Sequence, residues 1–64
     1  MSGKPPEGEA LLEFTQLGAQ VKVTAVDPRS MTEVSILGPA SAGEKALARL
    51  ALQKLRYVLA KQKP

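Results

Sequence analysis

A chain of 64 residues with no Cys, no His and no Trp can build one small domain, and it has neither thiols nor imidazoles with which to staple that domain by a disulfide or a transition metal. The same absences remove thiol catalysis, thiolate metal centres and the usual acid–base group of neutral pH, so the chain is predicted to be non-enzymatic and to carry no cofactor. Its net charge of +3 is unevenly placed: residues 1–43 hold three cations against five carboxylates, whereas residues 44–64 hold six cations against Glu44 alone.

Residues 1–8 contain two Pro, two Gly and almost nothing apolar, which predicts a flexible tail rather than a hydrophobic signal region. No apolar run approaches the roughly 18 residues of a membrane span. A cytoplasmic protein with no membrane association is the expectation. The folded part is predicted to be a single domain over residues 9–62, with residues 63–64 frayed.

From Leu12 to Leu37 the apolar pattern has period two, the signature of strands with one face buried. Leu12 and Phe14 alternate with Glu13 and Thr15; Val21, Val23 and Ala25 with Lys22 and Thr24; Val34 and Ile36 with Glu33 and Ser35. A two-residue Gly18-Ala19 loop of type II′ would pair Leu12 with Ala25 and Phe14 with Val23. A four-residue loop, Pro28 to Met31, closed by Asp27 and Thr32, would pair Ala25 with Val34 and Val23 with Ile36. Both loops put the same apolar set on one face, and a slip of one residue would destroy that agreement.

Gly38-Pro39 is predicted to end the third strand. Ser41-Ala42-Gly43-Glu44 fits a capping box, which starts a helix running from Ala42 to about Gln62. Such a helix is about 30 Å long, more than the roughly 23 Å of a seven-residue strand, so its last turn is expected to overhang the sheet. Leu47, Ala51, Leu55 and Val58, flanked by Ala48, Leu52 and Leu59, form the stripe expected to cover Leu12, Phe14, Val21, Val23, Val34 and Ile36. Lys45, Arg49 and Arg56 lie away from that stripe.

A second, narrow apolar line on the helix, Ala46, Leu50 and Tyr57, is surplus to covering one small sheet. It reads either as ordinary exposed apolar surface or as a contact with a second copy or another protein. A three-stranded meander also leaves two open strand edges, and pairing across one of them would make a two-fold dimer with a six-stranded sheet.

The remaining polar groups offer little chemistry. Glu13 and Glu33 fall on opposite edge strands and Asp27 in a turn, so solvated charge accounts for them better than a shared cation site. No base neighbours Ser30, Ser35 or Ser41, so no activated nucleophile is visible. The segment from Gly38 to Gly43 enters a helix N-terminus but lacks the Gly-Lys-Ser/Thr ending of a phosphate loop, and Glu44 would repel an anion there.

Nucleic acid is the alternative partner. The order β-β-β-α with a basic helix resembles the C-terminal two-thirds of a double-stranded-RNA-binding domain, with Lys45, Arg49 and Arg56 as the candidate contacts. The first helix of that domain is missing, and Ala42-Gly43-Glu44 replaces its lysine cluster.

The stretches from Val23 to Pro28 and from Thr32 to Glu44, most distinctively Gly-Pro-Ala-Ser-Ala-Gly-Glu, resemble a family of short uncharacterised alphaproteobacterial proteins built on a bacterial domain of unknown function. The resemblance spans about residues 12–61. It departs from the family pattern at Met31, where that pattern has Gly and where a left-handed backbone would strain Met. It implies a small bacterial cytoplasmic protein and no activity.

The reading is therefore α+β: a three-stranded antiparallel meander with one long C-terminal helix on one face. The expected function is an interaction module, self-associating or binding another protein, through a strand edge or through Ala46, Leu50 and Tyr57.

Overall fold

Two turns set the register of the whole sheet. The computed structural model describes residues 10–62 and contains strands β1 (Leu11–Leu17), β2 (Gln20–Asp27) and β3 (Thr32–Pro39), a 3₁₀ turn (Ala40–Ala42) and one helix, α1 (Glu44–Gln62). The expected tail over residues 1–8, Glu9 and residues 63–64 lie outside the described residues. The three strands form one antiparallel sheet in the order β1-β2-β3.

Gly18 has φ 65°, the positive value that the first position of a type II′ turn requires, and Leu17 pairs with Gln20 around it. The register follows as expected: Leu12 faces Ala25, Phe14 faces Val23, Ala25 faces Val34 and Val23 faces Ile36. In the second turn the Asp27 carbonyl accepts from the Met31 N–H at 2.7 Å, and the Asp27 carboxylate accepts from the Ser30 hydroxyl at 2.7 Å and from the Ser30 N–H at 3.3 Å. These bonds hold Met31 at φ 60°, a left-handed conformation that disfavours a residue with a Cβ.

The helix starts later than its capping box suggests. The Gly43 carbonyl accepts the first helical bond, from the Leu47 N–H at 3.1 Å, so Gly43 rather than Ser41 is the N-cap. Ser41 sits inside the 3₁₀ turn. The far end does not overhang either: the Thr32 hydroxyl, at the start of β3, donates to the Gln62 side chain at 3.2 Å. A β3 of eight residues and a helix of 19 are close in length, about 27 Å and 29 Å.

The core lies between α1 and two of the three strands. Val23, Ala25, Val34, Leu47, Ala51 and Leu55 are buried, and Val21, Ile36, Leu52, Val58 and Leu59 pack around them. Gly38 is buried under Leu47: a Cβ placed on it would lie 2.5 Å from Leu47 Cδ2. This bare backbone lets the helix settle against β3 immediately after the connection of residues 40–43.

Among the described residues, the expected cover over β1 does not form. Leu12 and Phe14 point to the helix side of the sheet but each remains 37% exposed, and every residue of β1 is exposed. A helix about 10 Å wide spans two strands at about 4.8 Å spacing, not three. The short connection from Pro39 to Glu44 tethers it to the β3 side.

Two substitutions test these local constraints. Gly38→Ala should destabilise the domain by about 1–3 kcal/mol through overpacking of Leu47, read as a lower midpoint in urea unfolding. Met31→Gly should raise the midpoint, because Met31 is 76% exposed and gives up no packing while the left-handed strain is relieved.

Candidate functional site

The uncovered strand and the helix flank beside it make the most distinctive surface of the molecule. Between them runs an open cleft of about 330 Å³ lined by Ala10, Leu12, Asp27, Leu52, Leu55, Arg56 and Leu59. Its lining is mixed: Ala10 and four leucines share it with the charged Asp27 and Arg56.

Backbone geometry adds a second feature. In a two-residue hairpin the flanking pair exchanges hydrogen bonds, and along the ladder bonded and non-bonded pairs then alternate. Leu17, Thr15, Glu13 and Leu11 therefore bond to β2. Leu12, Phe14 and Gln16 instead direct their N–H and C=O groups away from the sheet, along the open edge of β1. Their side chains lie on the helix side. One row of three residues thus presents both main-chain hydrogen-bonding groups and, in Leu12 and Phe14, apolar side chains beside the cleft.

The other edge is obstructed. By the same alternation the outward groups of β3 belong to Glu33, Ser35, Leu37 and Pro39. Lys54 reaches over this edge, and its Nζ donates to the Ser35 carbonyl at 2.9 Å. Pro39 has no N–H to offer, and Glu33 adds a charge. A lysine, a proline and a charge on one edge are the usual means by which sheets resist edge pairing. Both edges lack a paired strand, as expected, and the β3 edge is the more encumbered of the two.

On the far face of the sheet, the hydroxyls of Thr24 and Ser35 are hydrogen-bonded at 2.9 Å, which satisfies the buried Thr24 on the central strand. Glu13 and Glu33 lie on this face, on opposite edge strands.

The helix residues singled out from the sequence are all exposed. Leu50 is 52% and Tyr57 63% accessible, and with Ala46 they form a line on the outer side of α1. The Lys61 ammonium stands 5.4 Å from the centre of the Tyr57 ring, so one face of that ring already has a cation from the next helical turn. Lys45, Arg49 and Arg56 share another line, within about 40° of one another around the helix and about 17 Å from end to end. Arg56 places that line on the cleft side of α1. The basic row borders this cleft and the strand bearing Glu13, while Lys22 lies on the far face of the sheet.

Sequence reasoning located the basic row and the outer apolar line but not the cleft. It assigned Leu12 and Phe14 to the core, since periodicity tells which face a strand residue takes and not whether anything covers it. The available signal was the short connection from β3 to the helix, which seats α1 over β3 and β2 rather than centrally on the sheet.

No helix among the described residues is long and apolar enough to cross a membrane. Comparison with curated proteins and with solved structures finds no match. Residues 7–62 match a family model described as a domain of unknown function (DUF6898). Covering nearly the whole chain, including all three strands and the helix that form the cleft and the bare edge, this match shows that the protein belongs to the DUF6898 family.

Proposed function

We propose that this protein is a non-enzymatic interaction module that works by strand addition at the open edge of β1. The observation that carries this reading is the contrast between the two edges among the described residues: Lys54 and Pro39 encumber β3, while nothing described lies over the outward groups of Leu12, Phe14 and Gln16 on β1. An extended segment docking there gains main-chain hydrogen bonds from the edge and apolar contact from Leu12, Phe14 and the cleft. The helix line of Ala46, Leu50 and Tyr57 is the weaker candidate, because it is convex and Lys61 already occupies one face of its only aromatic ring. Nucleic-acid binding through Lys45, Arg49 and Arg56 gains no support from a second basic element beside them.

Photo-activated cross-linking in living cells tests the reading. A photoreactive residue at Gln16 should give a protein adduct, whereas the same residue at Leu50 should give none. An adduct from Leu50 alone would move the interface to the helix, and a nucleic-acid adduct from Arg49 would favour the basic row.

Two proline substitutions make a matched control. Gln16→Pro removes an outward N–H and should abolish the adduct formed from a photoreactive residue at Phe14 while the fold persists. Thr15→Pro removes a bond of the β1–β2 ladder and should instead destabilise the domain by a few kcal/mol, seen as a lower urea midpoint.

A further inference from the structure

We infer that the strand added to β1 is β1 of a second copy, antiparallel about a two-fold axis that passes beside Phe14. The inference rests on the strand-addition reading and identifies its partner. Only residues whose backbone points outward can face one another across the new ladder as bonded pairs, so Leu12, Phe14 and Gln16 must meet Leu12, Phe14 and Gln16 of the other copy. That parity leaves few registers.

With Phe14 opposite Phe14, all seven residues of β1 are paired. Leu12 then faces Gln16, Glu13 faces Thr15, and Leu11 faces Leu17. The three bonded pairs supply six main-chain hydrogen bonds, and the one charge on the strand, Glu13, meets a hydroxyl. Moving the axis to Glu13 sets two carboxylates directly opposite each other, which is destabilising. Moving it to Thr15 leaves Leu11 and Leu12 unpaired. Charge and length select the same register.

The edges argue for a second copy over a foreign strand. Joining two bare β1 edges gives a six-stranded sheet whose only remaining edges are the two β3 strands, both carrying Lys54 and Pro39. The assembly closes at two subunits. Pairing β1 with β3 of a neighbour would instead propagate into a fibre, and Lys54 stands in its way. A strand edge with a few side chains is small beside the roughly 800 Å² per partner of a standard interface, so the dimer is expected to be concentration-dependent.

Because the natural chain has no Cys, introduced thiols are the only ones present. Glu13→Cys and Thr15→Cys lie at exposed positions, and in the selected register they face each other as a non-bonded pair with Cα atoms about 4.5 Å apart, within disulfide reach. Mixing the two single variants under mild oxidation should give the mixed disulfide in several-fold excess over either symmetric one, at twice the chain mass.

Excess of the symmetric Glu13→Cys product would overturn the register by placing the axis at Glu13. A light-scattering mass of one chain up to millimolar concentration would overturn the second copy as partner. If the cellular adduct from Gln16 is then a different protein, strand addition survives without self-pairing; if Gln16 gives no adduct at all, strand addition fails too.

Discussion

One helix is too narrow for the sheet it covers, and the rest of the molecule is organised by that mismatch. A helix about 10 Å across matches about two strand widths, so where it sits decides which strand is left out. Here α1 follows β3 after only four residues, so the two strands it shields are β3 and its neighbour β2. The approach is close because Gly38 offers no side chain beneath Leu47, and because Ala25 and Ala51 keep the buried layer thin. Everything the helix does not reach stays as surface, and what it does not reach is β1.

This placement makes the two edges of the sheet unlike in what surrounds them. On the β3 side the helix brings Lys54 within bonding distance of the Ser35 carbonyl, and Thr32 meets Gln62 at the corner. On the β1 side it presents Leu52 and Leu59 to an open cleft above Leu12. Hydrophobic area that a larger domain would bury internally is here left beside a row of available backbone groups. The small core and the exposed apolar residues of β1 are then two consequences of one packing arrangement.

Backbone strain at Met31 has a local cause. The Asp27 carbonyl and carboxylate tie the turn so that its last residue must take a left-handed conformation. The closing pair Asp27–Thr32 holds the register on which the whole apolar face depends. The strain at one exposed residue is small against the loss of that register.

Residue pattern alone determined the element order, both hairpin registers and the buried stripe of α1. Each of these follows from local chemistry: period-two alternation, Gly18 at a position requiring positive φ, Asp27 and Pro28 in a turn, and the spacing of Leu47, Ala51 and Leu55. Tertiary structure alone decided that Gly43 caps the helix, that Gln62 stops level with Thr32, that Lys54 bonds to the β3 edge and that Phe14 stays at the surface. These depend on where a rigid helix comes to rest on a sheet wider than itself. Periodicity records which way a side chain points, and the width of the covering layer decides whether it is covered.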